Sequence, residues 1–251
     1  MADVGCRATS CWVAKVLQLP VYLVYFTKAI ELLQEGANMN FKPVLNARYF
    51  TATEKYNEID WNDFPRVVAA FKDRIDEWYI RPMHVLAQSS HNYNFAIMAL
   101  NCLLLDTLSQ YYYGKLKSHR ETFKKFAREN FPEFKQTLPN PIRINKDRLH
   151  DGADVLYAGY RCGILHEAHI ALYGGIAGAN GKVLEIHKSG HVKYDNGADC
   201  PSMIIEPYKL TISTEQFFND YIKQLLDKTQ KYIVLKDNFR KKFVASFGVK
   251  I

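Results

Sequence analysis

The sequence predicts a mainly α protein: a helical bundle with a small β-hairpin inserted late in the chain. Apolar residues recur at three- and four-residue spacing over several segments, which is typical of amphipathic helices. One further stretch is apolar nearly all round, and another alternates in the manner of short strands. The chain has 251 residues, of which 48% are hydrophobic and 24% charged, so it can bury the core of one large domain.

The first 58 residues are predicted to form a helical extension and a connection to the main domain. Residues 12–26 are apolar apart from Lys15 and Gln18. This stretch is shorter than the roughly 20 apolar residues that cross a membrane, and no small-residue cleavage site follows it. We therefore interpret it as a buried or docking helix. Residues 38–60 are irregular and polar, as expected of a connecting segment.

Three helices are predicted in the first half of the main domain, which we place at residues 59–228. Apolar residues recur at three and four over 64–79, and Pro82 should end or kink that helix. Residues 95–108 are apolar on nearly every side, so they are predicted to form the central helix of the bundle. The basic segment 115–135 is predicted to be helical, with its phenylalanines facing inward and its charges facing solvent.

The second half of the main domain combines a helix, a β insertion and a further helix. A helix is predicted to begin near Asp151 and to carry apolar residues as far as Leu165. The β insertion is predicted over residues 182–212, where 182–187 and 191–195 form a hairpin and short strands follow. The segment beginning at Ser213 has the spacing of a capping box and is predicted to open the next helix.

The charge of the chain favours a polyanionic partner. The formal net charge is +7, and basic residues cluster in 115–135 and in 229–251, the predicted basic C-terminal helix. A surplus of this kind favours nucleic acid, and RNA is the partner we expect. The alternative is that the charges only keep the protein soluble.

The cysteines and histidines indicate neither a disulfide framework nor a metal centre. The number of cysteines is odd, no two are spaced as C-x-x-C, and the spacings match no zinc framework. A reducing, cytoplasmic location is therefore expected. The run His166-Glu167-Ala168-His169 is not H-E-x-x-H and has no evident third ligand, so no metal and no cofactor is predicted. The cysteines are Cys6, Cys11, Cys102, Cys162 and Cys200.

Arg161 and His166 carry the most informative chemistry of the chain. They lie five positions apart at the end of an apolar, helix-like segment. A guanidinium binds phosphate in fork geometry, and an imidazole transfers a proton near neutral pH, so together they are a minimal set for cleaving a phosphodiester without a metal. In a regular α-helix, residues five apart are separated by about 140°. We therefore expect the two side chains not to share a helix face, and a dimer axis or an early helix end at Gly163 to bring them together.

The order of one Arg, four residues and one His resembles the R-x4-6-H signature of the HEPN superfamily. Its best-known members are metal-independent ribonucleases of defence and toxin–antitoxin systems. The resemblance covers roughly residues 63–226. It includes two long helices, the second of which ends in Asp106 and an aromatic run, then the Arg161…His166 element, a hairpin and a capped helix. The resemblance implies an HEPN-like helical bundle with a small β-hairpin insertion.

The resemblance also implies a homodimer that acts on RNA in a cleft between the protomers. Arg161 would clamp the scissile phosphate and His166 would act as general base or acid. Asp106 would then orient Arg161. The structural alternative is that Arg161 only pairs with Asp106, while His166 caps the C-terminus of its helix.

Three further residues flank the predicted catalytic pair. Tyr157 and Tyr160 are candidates for stacking on bases, and the alternative is that both are core residues. Cys162 departs from the family pattern, because many active members carry Asn or Asp directly after the Arg.

Two alternative functions stay open beside the ribonuclease. One is a catalytically silent HEPN-like module that binds a partner protein such as an antitoxin, a nucleotide or RNA. The other is a structural helical protein whose aromatic surface packs against a partner. No association with a membrane is predicted.

Overall fold

The computed structural model describes residues 48–144, 147–171, 173–176, 182–187, 193, 199–249 and 251. They belong to one compact unit, Leu45–Ile251. The helices are α1 (Phe64–Ile75), α2 (Arg81–Ala87), α3 (Asn94–Tyr113), α4 (Arg120–Asn130), α5 (Gly152–Val155), α6 (Gly163–Glu167), α7 (Pro207–Leu226) and α8 (Ile233–Phe247). The strands are β1 (Thr137–Ile144), β2 (Asp147–Asp151), β3 (Gly174–Ile176), β4 (Leu184–His187) and β5 (Ser202–Ile205). The protein is thus mainly α, as predicted. The helix predicted at residues 12–26 lies outside the described residues.

The central helix of the bundle is α3, as its all-round apolar sequence predicts. It packs against α2, α4, α7 and α8, and Leu104, Leu105 and Leu108 on it are fully buried. The helix ends at Gly114, whose φ of 60° is left-handed. Glycine adopts this conformation without strain, which explains the stop.

Pro82 does not end the first predicted helix. The segment continues from α1 through a π-helical stretch, Asp76–Ile80, into α2, where Pro82 stands in the first turn. A proline lacks the N–H that an α-helix needs and crowds the preceding turn. The π stretch accommodates this disruption by local widening of the hydrogen-bond pattern.

Residues 137–151 form an antiparallel hairpin that the sequence did not predict. Ile142 of β1 faces Leu149 of β2, and the pairing is irregular before Ile142. Pro139 and Pro141 lie in the irregular part and hide the strand pattern in the sequence. They are tolerated because a two-stranded sheet leaves each strand one unpaired edge.

The predicted β insertion is a three-stranded sheet with the order β3-β5-β4. The strands predicted at 182–187 and from Met203 are confirmed as β4 and β5, which pair antiparallel, whereas β3 runs parallel to β5. Within the described part of the chain, β4 therefore pairs with β5. The strand predicted at 191–195 lies outside the described residues apart from Lys193, which forms an isolated bridge.

The end of the predicted β insertion is helical, because α7 begins at Pro207 and not at Ser213. The side chain of Glu206 caps this helix and accepts hydrogen bonds from the backbone N–H groups of Tyr208 and Lys209 at 3.2 and 2.6 Å. A carboxylate at the cap and a proline at the first helical position both favour this start. They outweigh the capping-box spacing that begins at Ser213.

Both ends of the described chain contribute to the core. The predicted C-terminal helix is α8, which packs on α3 and buries Phe239 and Phe243 completely. Phe50 is also fully buried, with its ring centroid 5.8 Å from that of Phe243. Residues 48–60 are therefore part of the core and not only a connection. None of the described helices is long and apolar enough to cross a lipid bilayer.

Candidate functional site

The predicted site lies on one continuous helix of changing geometry. Asp151 caps its start by accepting a hydrogen bond from the backbone N–H of Asp154 at 2.9 Å. The chain then runs through α5, a π-helical segment, Leu156–Cys162, and α6. The helix predicted to begin near Asp151 is therefore confirmed. Ala168 ends it in the left-handed conformation, with a φ of 54°.

Arg161 and His166 meet within one chain. Nη1 of Arg161 lies 3.0 Å from Nε2 of His166, so the expectation that a dimer axis or an early helix end is required is wrong. Arg161 stands near the end of the π segment and His166 stands in α6, which continues the helix past Gly163. The long arginine side chain spans the angle between the two positions. A second protomer is not needed to bring the pair together.

Asp106 holds the other edge of the guanidinium, as predicted. Its Oδ2 lies 3.0 Å from Nη2 of Arg161. Ser118, in the loop after α3, donates to Oδ1 of Asp106 at 2.7 Å and accepts from Nη2 of Arg161 at 3.3 Å. The sequence analysis missed Ser118, because nothing distinguishes this hydroxyl from others in exposed polar loops.

The two sides of the site differ in their burial. The side chains of Arg161 and Asp106 are only 14% and 10% exposed, whereas His166 is exposed. Burial acts to lower the pKa of Arg161, but its hydrogen bond to Asp106 and the carboxylate charge outweigh burial and hold the pKa above its ordinary value. A cation held by its partners thus faces an exposed imidazole.

The contact with Arg161 defines the protonation state of His166 in this arrangement. A guanidinium can only donate hydrogen bonds, so Nε2 of His166 accepts. The imidazole is then neutral and carries its proton on Nδ1. The site therefore presents an unprotonated ring nitrogen beside a permanent cation. His166 stands in the last turn of α6, and its Nε2 lies against Arg161.

Tyr157 and Cys162 border the guanidinium. The Arg161 guanidinium carbon lies 5.7 Å from the centroid of the Tyr157 ring, and that of Arg120 lies 5.9 Å from the same ring. Burial raises the pKa of Tyr157, the neighbouring Cys162 raises it further, and the charge of Arg161 opposes both. Tyr157 is thus half-buried and polarised by cations, with an edge-on contact to Phe123 at 5.6 Å.

Tyr160 is a core residue and cannot stack on a base. It is fully buried. Its hydroxyl lies 2.6 Å from the carbonyl oxygen of Met203 and 2.8 Å from that of Gly175, and it accepts from the N–H of Gly175 at 2.9 Å. Tyr160 therefore joins the site helix to strands β3 and β5.

The basic surface around the site is smaller than the sequence predicts. Lys124 and Arg128 of the predicted basic segment form ion pairs with Asp154 at 3.0 and 2.9 Å. These bridges fix α4 to α5 and are not available to a phosphate. Lys115 and Lys117 lie in the exposed loop that carries Ser118, so they are the cations next to the site.

The arrangement can bind a phosphate and transfer a proton. Arg161 is held in place by a carboxylate, a neutral imidazole lies against it, and the loop that supplies Ser118 also carries the exposed Lys115 and Lys117. Within the described residues, no group of three or more His, Cys, Asp or Glu side chains is placed to hold a metal ion. Comparisons of the chain with protein-family models, curated proteins and solved structures return no match. The functional argument therefore depends on the chemistry of these side chains.

Proposed function

We propose that this protein is a metal-independent endoribonuclease of the HEPN type. One observation carries the proposal: the Arg161 guanidinium is held between the Asp106 carboxylate and the His166 imidazole, at 3.0 Å from each. The exposed loop with Lys115 and Lys117 adjoins this cluster and supplies further positive charge for a phosphodiester backbone.

The proposed reaction uses the 2′-hydroxyl of the substrate as nucleophile. A phosphate oxygen replaces His166 at Nη1 of Arg161, which frees Nε2 of the imidazole. His166 then accepts the 2′-hydroxyl proton while the 2′-oxygen bonds to phosphorus. Arg161 stabilises the negative charge that develops on the phosphate. The bond from phosphorus to the 5′-oxygen breaks, His166 returns the proton to that oxygen, and the products are a 2′,3′-cyclic phosphate and a 5′-hydroxyl.

A homodimer is part of this proposal on the basis of the family resemblance alone. The argument from helix geometry no longer supports it, because Arg161 and His166 meet in one protomer. An isologous contact around the site helix would place two such clusters in one cleft. Light scattering at tens of micromolar protein should then return twice the mass of one chain, and a monomer would remove the dimer from the proposal.

A catalytically silent binding module is the alternative that one observation favours. Arg161 donates to Asp106, Ser118 and His166. An arginine with these partners can be purely structural, and Cys162 stands where many active family members carry Asn or Asp. The two functions differ in whether a phosphate displaces His166.

Cleavage of labelled RNA tests the proposal. We expect wild type to cleave single-stranded RNA and to leave single-stranded DNA intact, because DNA lacks the nucleophile. His166→Ala should abolish cleavage while the circular dichroism spectrum stays unchanged. The matched control is His169→Ala, which removes an exposed imidazole of the same helix end that bonds only to Glu167 among the described residues. This control should cleave like wild type.

Three further readouts separate the proposed chemistry from contamination. Cleavage should persist in EDTA, the products should carry cyclic phosphate, and the rate should change between about pH 5 and 8, where histidines titrate. Equal cleavage by wild type and His166→Ala would show that the activity lies elsewhere. An intact protein with no cleavage at all would favour the binding module.

A further inference from the structure

A second cationic pocket lies beside the proposed catalytic cluster. It has a volume of about 210 Å³ and is enclosed by α1, the π stretch after it, α3 and α8. Its walls include two cations, Arg74 and Lys242. The rings of Trp78 and Phe247 and the polar side chains of Thr107 and Gln110 complete the lining. The pocket is thus built from the same two features, cations and aromatic rings, that recognise nucleotides.

Arg74 is a half-buried guanidinium that lacks an acidic partner in the described part of the chain. Its guanidinium carbon lies 3.5 Å from the centroid of the Trp78 ring, and one of its N–H groups donates to the backbone carbonyl of Phe50. Burial lowers its pKa. A guanidinium removed from water without a carboxylate is costly, and a bound anion would offset that cost.

Lys242 is the second cation of the pocket. Its Nζ donates to the carbonyl oxygen of Leu116 at 3.0 Å, and burial lowers its pKa, an effect that Asp106 partly opposes. No Asp or Glu lines this pocket. A larger cavity of about 320 Å³ is lined by Glu133 and Asp220 and by no Lys or Arg, so its charge does not suit an anion.

The pocket and the Arg161 site share structural elements. Thr107 of the pocket follows Asp106 in the sequence, and Gln110 donates to the backbone oxygen of Asp106 at 3.2 Å. The carbonyl that Lys242 contacts belongs to Leu116, in the same loop as Ser118. A chain that places one phosphate at Arg161 therefore passes next to this pocket.

We propose that the Arg74–Lys242 pocket binds a single nucleotide unit, with its phosphate between the two cations and its base against the Trp78 ring. The volume of about 210 Å³ is below the roughly 300 Å³ and more of sites that enclose a whole ligand, so the pocket would hold the phosphate while part of the nucleoside stays in solvent. Trp78 is 44% exposed, and the base would stack on the part of its ring that Arg74 does not cover. This inference rests on the proposed function, in which the pocket holds the nucleotide next to the scissile phosphate.

Calorimetric titration with adenosine monophosphate, inorganic phosphate and adenosine tests the pocket directly. Wild type should bind adenosine monophosphate more tightly than it binds inorganic phosphate or adenosine. Lys242→Gln keeps a hydrogen-bond donor for Leu116 but removes the charge, so it should weaken binding about fivefold to tenfold. Trp78→Ala should weaken the binding of adenosine monophosphate but leave the affinity for inorganic phosphate unchanged. The matched control is Lys241→Gln, an exposed neighbour on α8, which should bind like wild type.

The outcomes distinguish this pocket from the proposed catalytic activity. Binding that survives in Arg161→Gln but weakens in Lys242→Gln supports the pocket, whether or not wild type cleaves RNA. If wild type does cleave, Lys242→Gln should raise KM for RNA and leave kcat nearly unchanged. Absence of binding at millimolar ligand, or equal binding by wild type and Lys242→Gln, would overturn the pocket. Binding lost in Arg161→Gln and kept in Lys242→Gln would assign it to the Arg161 site instead.

Discussion

Asp106 is the residue on which the geometry of the site depends most. It is nearly buried and binds the guanidinium of Arg161 and the hydroxyl of Ser118 at the same time. A carboxylate in this position both neutralises a buried cation and fixes its direction. The site is therefore organised from α3, a helix that is remote in sequence from the predicted motif.

Asp106→Asn should destabilise the protein and abolish cleavage. The amide has the same shape but leaves the charge of Arg161 uncompensated, which should lower the free energy of unfolding by about 2–4 kcal/mol. Ser118→Ala is the control, because it removes hydrogen bonds at an exposed position but leaves the charges of Arg161 and Asp106 paired, and it should cost only about 1 kcal/mol. Urea denaturation of both variants measures the difference. Equal stabilities would mean that solvent already screens the Arg161–Asp106 pair.

At the scale of elements, the turn after α6 packs closely on the start of that helix. A Cβ atom added at Gly163 would lie 2.6 Å from the backbone oxygen of His169. A backbone atom cannot move aside as a side chain can, so the chain after the helix would have to shift. The absence of a side chain at Gly163 thus allows the chain to fold back directly after His166.

Gly163→Ala should lower both stability and cleavage. The backbone shift that relieves the clash should lower the free energy of unfolding by about 1–3 kcal/mol. It should also move His166 away from Arg161. Gly175→Ala is the matched control, because its added Cβ would make only an ordinary contact of 3.5 Å with Ile204. Thermal unfolding and RNA cleavage of the two variants test this. A fully stable and active Gly163→Ala variant would contradict the close approach.

The start of α7 provides a second prediction about an element. Glu206→Ala removes a nearly buried cap with two backbone hydrogen bonds and should cost about 1 kcal/mol. Ser213→Ala changes the residue that begins the capping-box spacing. Because Ser213 lies inside α7, alanine should leave the stability unchanged or slightly raise it. If Ser213→Ala were instead the less stable of the two variants in urea, the helix would start at Ser213.

At the scale of the whole molecule, the proposed RNA complex should weaken as salt rises. Each phosphate neutralised by a lysine contributes about 0.7 to the logarithmic salt slope of single-stranded RNA binding. Lys117→Gln, in the exposed loop beside Arg161, should reduce the slope by about that amount. Lys223→Gln, on α7 with a side chain 76% exposed, should not change it. Filter binding measures these slopes when each lysine variant also carries His166→Ala, which prevents cleavage of the RNA. An RNA affinity that does not change with salt would favour a protein partner.

The buried tyrosines make the fold sensitive to alkaline pH. Burial raises the pKa of Tyr160 and Tyr221 above the ordinary value, and that of Tyr173 to about 12. The folded state thus retains these protons longer than the unfolded state. Their contribution to stability is fully present below about pH 10, and it is lost as the pH rises from there towards the folded-state pKa, at about 1.4 kcal/mol per pH unit for each tyrosine.

Tyr221→Phe is the control for this pH dependence. The Tyr221 hydroxyl has no hydrogen-bond partner in the described part of the chain, so phenylalanine should be tolerated at pH 8. Between pH 10 and 11, the free energy of unfolding in urea should then fall with pH less steeply in Tyr221→Phe than in wild type, by about 1.4 kcal/mol per pH unit. An unchanged slope would show that this phenol ionises equally in both states.

The sequence by itself determined the helical class, the central helix α3 and the identity of the catalytic candidates. These features depend on local periodicity and on residue chemistry, both of which are visible in a single chain. The contact between Arg161 and Asp106 was also predicted, because a carboxylate in an apolar helix requires a cation.

Only the tertiary structure decided how the site is assembled. The contact between Arg161 and His166 depends on the direction in which Asp106 and Ser118 hold the long arginine side chain, and the spacing of the two residues in the sequence does not reveal that direction. The strand pairing over 137–151 was missed because prolines interrupt the strand pattern in the sequence. The cap at Glu206 was missed because the backbone N–H groups that its carboxylate binds are identified only in the structure. The pocket of Arg74 and Lys242 joins side chains from opposite ends of the described chain. Packing alone brings such residues together, because their contacts are remote in sequence and leave no local pattern.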